Sequence, residues 1–440
     1  MFEVTLGLKQ GEPLSPLLFI LFINDIDNIV DLNNLTDNDI DLLSVHMLLF
    51  ADDIALFTTN AHSLQIQLNL LSEYSLKWGL KINVGKTKIC VFEKRKQIVQ
   101  ADFKLNGESV EIVDSFCYLG MKFTHTGNLS YAVKTLSQQA LVAYNNILSI
   151  FSRVKLDMKT KLSLFEAMVV PILLYGSELW GIFEFKEVDK LQIKFYKHIL
   201  GVRQQTPNAA VYGELGKYPL SVIAKIRSFK FWLKISNNHN SLAFRTLLEQ
   251  STCTRTNCWA NKIKVALDNL GLNYIWQVND KAISYLPVIK QRLYDQYIQH
   301  WNASIQTMHK LEYYSSYKNT FNYETYLDTL DRDPLRISLS QFRLCSHKLE
   351  IEFGRFSNIP RELRLCKLCN MRDVETEYHF LLICPTFSHL RIKYLGNLAS
   401  PWPSVQKFIN VMSSVNQKTI VNLGKFVNEA FKLRSHLLEP

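Results

Sequence analysis

Hydrophobic and polar positions change their spacing several times along the chain, and each spacing predicts a different element. From residue 14 to 29 apolar residues follow one another behind Pro13, with Ser15-Pro16 placed as a helix start. Met47 to Phe57 holds two short apolar runs around Ala51-Asp52-Asp53, the pattern of a strand–turn–strand hairpin. Leu64, Ile66, Leu68, Leu70 and Leu71 give the stretch from Ser63 to Trp78 an amphipathic helical period. Lys88 to Phe92, the surroundings of Val110, and Cys117 to Phe123 read as further strands. From about residue 130 the period becomes helical, over Leu136–Phe151, Lys159–Trp180, Val188–Leu200 and Leu220–Ser236, with breaks at Gly201, Pro207 and Pro219. Residues 237–335 are polar and predict little beyond a helix at Tyr285–Trp301. Asp331-Arg332-Asp333-Pro334 reads as a loop, and the tail from Val405 to Leu438 reads as helical.

Composition narrows the class without naming it. With 440 residues, 47% of them apolar and 20% charged, the chain has material for two or three packed domains and is not predominantly disordered. A net charge of +10 together with 12% aromatic residues suits a nucleic-acid partner, since Lys and Arg neutralise phosphates and rings stack on unpaired bases. Leu14–Ile23 is too short for a bilayer span, and Leu162–Phe183 carries Glu166, Pro171 and Glu178, so no membrane partner is expected. The eight cysteines are scattered except for Cys366, Cys369 and Cys384, which argues for a reduced, intracellular protein rather than a disulfide framework.

Two groups of residues carry chemistry. Asp52 and Asp53 sit between apolar strands, where a hairpin tip would present both carboxylates together. Such hard oxygen ligands suit Mg²⁺, and two ions about 3.5–4 Å apart would activate an attacking hydroxyl and stabilise a leaving pyrophosphate. The second group is Cys366-x-x-Cys369, then nine residues, His379, four residues and Cys384, a spacing that can enclose a tetrahedral Zn²⁺. Free buried thiols are the simpler alternative. His389 is a spare candidate ligand, and Arg361, Arg364, Lys367 and Arg372 suit phosphate contacts or a solvated basic face.

The Asp pair has ordered company. Gly7-Leu8-Lys9-Gln10-Gly11-Glu12-Pro13-Leu14-Ser15-Pro16 lies upstream. Trp78-Gly79-Leu80-Lys81-Ile82-Asn83 with Lys86-Thr87, then Phe116-Cys117-Tyr118-Leu119-Gly120, lie downstream. This series resembles the reverse-transcriptase domain of non-LTR (LINE-type) retrotransposons, with a QG-x-P-LSP block, an FADD box, a GL-x-IN-x-x-KT block and a YLG hairpin. Val170 to Gly181 and Tyr212-Gly213-Glu214-Leu215-Gly216 are similar to the helical region that follows the polymerase in these elements, and the cysteine cluster resembles their CCHC segment.

The resemblance implies roles. Asp52 would be the principal Mg²⁺ ligand, Asp53 a less direct one, and Lys86 a cation for the pyrophosphate. Gln10 and Gly11 would face the template base and nascent pair; Tyr118, Leu119 and Gly120 would hold the primer end. Cys366, Cys369, His379 and Cys384 would bind a structural Zn²⁺. An RNA template and a DNA primer or target are the implied partners, and the nucleus the implied location. The family palm uses a third carboxylate on a strand well before the QG block. Only nine residues precede Gln10, and Glu3 is the sole acid among them. The reading is therefore of an N-terminally truncated polymerase lacking the fingers and first aspartate, and inactive alone. The alternative is a non-catalytic RNA- or DNA-binding zinc protein. The expected fold is α+β: a partial palm (1–125), a helical thumb-like region (126–250), a helical connector of unassigned role (251–335), a zinc-knuckle-like segment (336–395) and a helical tail (396–440).

Overall fold

The computed structural model of the protein describes residues 12–26, 45, 47–92, 101–253, 257–278, 283–396 and 402–438. It is mainly helical with few short strands. It divides into two compact units, residues 1–132 with 235–261, and residues 133–234 with 262–440.

The first unit holds helix α1 (Ser15–Phe22), hairpin β1–β2 (Met47–Phe50, Asp53–Leu56), helix α2 (Ala61–Lys77), and hairpins β3–β4 (Lys104–Leu105, Glu108–Ser109) and β5–β6 (Ser115–Tyr118, Met121–Thr124). Asn60 starts α2 by accepting the Ser63 N–H on its side-chain oxygen at 2.8 Å, satisfying one of the amides left free in a first turn. The apolar face of α2 then packs Leu68 against Phe103, Leu105 and Val110, with Ile89, Ile82 and Leu56 filling in. At the far end of α2 the buried Tyr74 hydroxyl donates to Asp25 Oδ1 at 2.7 Å, and Trp78 meets Phe22 edge-on. These contacts tie α1 to α2. Burial first, and the Asp25 carboxylate second, hold the Tyr74 hydroxyl well above the usual phenol range.

Among the described residues the six strands form three separate two-stranded ladders rather than one sheet. The strand expected at Lys88–Phe92 is reduced to a single parallel bridge, Ile89 with Ile112, because only the Ile89 N–H and carbonyl find partners, on Glu111 and Val113. The helix expected over residues 14–29 stops at Phe22 and gives way to turns through Asp25; residues 27–29 lie outside the described residues.

The second unit is built from helices. They are α3 (Ser130–Arg153), α4 (Met158–Met168), α5 (Val170–Leu173), α6 (Ser177–Trp180), α7 (Glu187–Leu200), α8 (Asn208–Leu215) and α9 (Leu220–Ser236), the first and last of which run across the unit boundary. Helix α10 (Leu242–Thr252), which belongs to the first unit, and α11 (Trp259–Asn269), which crosses the boundary, follow. After them come α12 (Asn273–Gln277), α13 (Leu286–Thr307), α14 (Glu312–Tyr317), α15 (Tyr326–Thr329), α16 (Asp333–Arg343), α17 (Glu350–Phe356), α18 (Ser388–Tyr394), α19 (Val405–Met412) and α20 (Gln417–Leu438).

Several sequence expectations change here. The single helix expected over Lys159–Trp180 is three: Pro171 opens α5, and Gly176 at φ +62° breaks the path before α6. Among the described residues no single helix is long and apolar enough to cross a membrane. The 331–334 loop instead contains the start of α16, with Pro334 in the first turn, where its missing N–H costs nothing. The tail is two helices. In contrast, α9 spans the residues its period predicted.

Candidate functional site

The Asp hairpin is closed by the shortest of connections. Phe50 pairs with Asp53, leaving Ala51 and Asp52 as a two-residue loop. Ala51 takes φ +52°, the positive value that mirror-image hairpin turns require at their first position. Asp52 therefore occupies the tip and Asp53 opens β2, and both are exposed. The hairpin's other end is anchored, since Leu56 joins the α2 core. Around the acids the surface is apolar: Phe50 is 60% exposed, and Leu49 and Ile54 are exposed as well.

The other expected polymerase residues stand on separate turns. Lys86 is exposed on a turn held by Asn83, whose side-chain oxygen accepts the Lys86 N–H at 3.1 Å. Tyr118 ends β5, and Leu119 (φ +47°) with Gly120 (φ +76°) forms the two-residue β5–β6 turn. Gln10 and Gly11 lie outside the described residues.

The four metal-ligand candidates, by contrast, converge. An antiparallel bridge between Leu365 and Val374 closes the turn carrying Cys366 and Cys369, and the Cys366 N–H donates to Asp373 O at 2.9 Å. A widened helical turn over His379–Ile383, whose Cys384 N–H reaches His379 O, brings His379 and Cys384 to the same point. All four donor atoms lie within 4.8 Å of one another. Cys366 Sγ is 3.9 Å from Cys384 Sγ, and Cys369 Sγ is 3.5 Å from His379 Nε2. A tetrahedral Zn²⁺ with bonds of about 2.3 Å to sulfur and 2.0 Å to nitrogen has edges of roughly 3.8 Å between sulfurs and 3.5 Å from sulfur to nitrogen. The donor set fits a metal of that kind.

Its electrostatics agree. The contact with Cys366, then hydrogen bonds from His379 and Thr386, push the Cys384 thiol down, while the same contact and burial push Cys366 up. His379 Nδ1 is buried without a hydrogen-bond partner, its nearest acid being Asp373 Oδ2 at 3.6 Å. A ligating histidine commonly uses such a carboxylate to orient its ring. Asp373 was not visible in the motif spacing. Nor was Arg391, which donates to the carbonyls of Leu381 and Cys384 at 2.9 Å and fixes the turn between two ligands. His389 is exposed and outside the cluster.

The basic residues near this centre are mostly committed to the protein. Arg364 donates to Ile359 and Ile351 carbonyls, Arg361 pairs with Glu312, and Lys367 pairs with Glu350 at 2.9 Å. Arg434 of α20 donates to both oxygens of buried Glu375 at 2.8 and 2.7 Å, locking the metal segment to the terminal helix.

Comparison with known proteins assigns the first part of the chain. Residues 2–123 match the family described as reverse transcriptase (RNA-dependent DNA polymerase). The chain thus carries a reverse-transcriptase domain. Its relatives include RNA-directed DNA polymerases from mobile elements, and similarity to them extends past that domain. It is 25% identical over 257 residues to the RNA-directed DNA polymerase from mobile element jockey of Drosophila funebris, covering 54% of this chain and 26% of that protein. It is 26% identical over 220 residues to a Pol polyprotein from retrotransposable element R2 of Popillia japonica, covering 48% and 30%. A putative transposon-derived protein of Caenorhabditis elegans is 30% identical over 136 residues, covering 30% and 47%. The chain spans about a quarter to a half of the length of these relatives.

Proposed function

We propose that this chain serves RNA-directed DNA synthesis in a non-LTR retrotransposon, supplying part of the polymerase palm, a helical region that grips the template–primer duplex, and a zinc-stabilised C-terminal segment. The observation that carries the reading is the exposed carboxylate of Asp52 on a two-residue hairpin loop, within the residues that match the reverse-transcriptase family. Asp52, with Asp53 beside it, would hold Mg²⁺, which when bound activates the primer 3′-hydroxyl and neutralises the departing pyrophosphate. Lys86 would offer a mobile ammonium to that phosphate. Gln10 and Gly11 would face the templating pair, and the Tyr118–Gly120 turn would seat the primer end. Cys366, Cys369, His379 and Cys384 would bind one structural Zn²⁺, since four protein donors leave no open position for substrate.

Asp52→Asn would remove one carboxylate from such a site. Losing a ligand that organises a two-metal site costs several kcal/mol of transition-state stabilisation, at about tenfold in rate per 1.4 kcal/mol. Mg²⁺-dependent primer extension by a protein carrying this chain should disappear in Asp52→Asn; extension unmoved by the substitution would overturn the Asp52 assignment. A second reading, a zinc protein that binds RNA or DNA without catalysis, is favoured by the pre-arranged Cys/His donors. Metal analysis should find one zinc per chain, lost in Cys366→Ser with Cys369→Ser. Absence of zinc from the wild type would sink both zinc assignments.

A further inference from the structure

Within the second unit, α3 and the end of α7 border a half-open cavity of about 360 Å³ whose ionisable side chains are basic apart from Tyr144. Lys194, Lys197 and His198 come from α7, Tyr144 and Asn145 from α3, and Gln204 from the loop after α7. Among the described residues no carboxylate lines it.

Its walls are firm. Phe195 of α7 stacks on Phe165 at 4.1 Å and meets Tyr144 edge-on, so the two helices are held by a packed aromatic core. Lys197 is 5% exposed, and its ammonium donates to Gln204 O at 2.6 Å. An ammonium has three N–H donors. Among the described residues the other two meet no acceptor. Lys194 stands one turn earlier, its Nζ 5.6 Å from the Tyr144 ring centroid. A buried, incompletely satisfied cation is costly, and one beside a second cation costs more. Burial, and then Lys310, push the Lys197 ammonium down; burial, and then Lys161, do the same to His198.

The helix end explains part of this. The terminal carbonyls of α7 favour a cation in the last turn, where Lys197 and His198 lie. They do not explain Lys194 further back, nor why the space beside three basic groups is open rather than packed.

We propose that this cavity is a binding site for a phosphoryl anion, and that the backbone of the bound nucleic acid delivers it. An oxyanion would give the two free Lys197 donors their acceptors and accept from Lys194. The proposal rests on the nucleic-acid reading above, and it locates one phosphate contact on α7.

The test is salt-dependent binding of a fluorescent RNA–DNA duplex to the full chain, with inorganic phosphate as a separate titrant. Lys194→Gln, at an exposed position, leaves the core intact; Lys197→Gln is the stronger variant; Lys418→Gln, exposed on α20, is the control. Each phosphate contact contributes about 0.9 to the slope of log K against log salt, roughly 3.5-fold between 50 and 200 mM. Lys194→Gln should lower the slope by about that amount and Lys418→Gln should not. Wild-type binding with an unchanged slope in Lys194→Gln and Lys197→Gln overturns the proposal and leaves the nucleic-acid reading standing. A wild type that binds no duplex overturns both. Phosphate bound at the cavity with duplex affinity unmoved by the substitutions overturns the nucleic-acid source.

Discussion

At the scale of single residues, buried charge is the organising theme of the second unit. Arg343 is 3% exposed. It donates through Nε to both oxygens of Glu214, through Nη1 to Met412 O and through Nη2 to Glu324, with Tyr317 and Tyr326 against its guanidinium. One side chain thus ties α8, the segment before α15, α16 and α19 together. Arg343→Met strands fully buried Glu214 without its partner and should cost about 3–5 kcal/mol, measured by chemical denaturation. Glu377 offers a pH test. Burial works against its charge, but His347 Nε2, 2.9 Å away, holds its carboxyl below the usual carboxylate range. A depressed carboxyl contributes stability that is fully present above its unfolded value near 4.5 and is lost as pH falls through the folded one. Thermal unfolding followed downward from pH 4.5 should therefore drop less steeply in Glu377→Gln than in the wild type. A parallel acid limb in both proteins would remove Glu377 from the account. Gly216 combines a left-handed backbone with a close approach: at φ +57°, an added Cβ would lie 2.4 Å from the Tyr323 backbone nitrogen. Gly216→Ala should destabilise by roughly 3 kcal/mol in the same denaturation assay.

At the scale of elements, local signals were legible where one helix buries one face. Helix α2 follows its leucine period, and α7 ends where Gly201 takes the left-handed conformation. The hairpins at Asp52 and at Tyr118–Gly120 were legible too, whereas β3–β4 was not, and the turn around the aspartates is tighter than the spacing suggested. It places a non-glycine residue, Ala51, at positive φ, a strain of order 1 kcal/mol. Ala51→Gly should relieve that strain and slow hydrogen exchange at the Phe50 and Asp53 amides by up to about fivefold, an effect of roughly 1 kcal/mol. Less legible was the interrupted path from α4 to α6. Apolar residues continue through it at exposed positions such as Met168, Tyr175 and Leu179 as well as at buried ones, so the period carries no sign of the bends.

At the scale of the whole molecule, the metal segment is packed into the second unit rather than appended to it. Phe380, inside the turn between His379 and Cys384, contacts Phe342, Phe387, Phe426 and Phe431. Arg434 clamps Glu375 and Glu350 from α20. Removing a bound metal would therefore loosen α16 and α20 together with the four ligands. A strong chelator should lower the melting temperature of the wild type by several degrees and leave Cys369→Ser, already weakened, nearly unmoved. Equal melting curves with and without chelator would show that the donor cluster holds no ion.

Sequence alone determined the chemistry and the order of its carriers: the Asp52–Asp53 pair between apolar strands, and the four Cys/His donors. Both are short-range patterns whose meaning depends on residue type and spacing along a few turns of backbone. Tertiary structure alone decided what surrounds them. Asp373 beside His379, Arg391 across the carbonyls of Leu381 and Cys384, and Arg434 on Glu375 meet through folding, with no local signal in the chain to announce them. The same holds for the basic cavity between α3 and α7, where residues about 50 positions apart line one space. Spacing within an element survives in sequence because the backbone repeats; proximity between elements does not, because packing sets it.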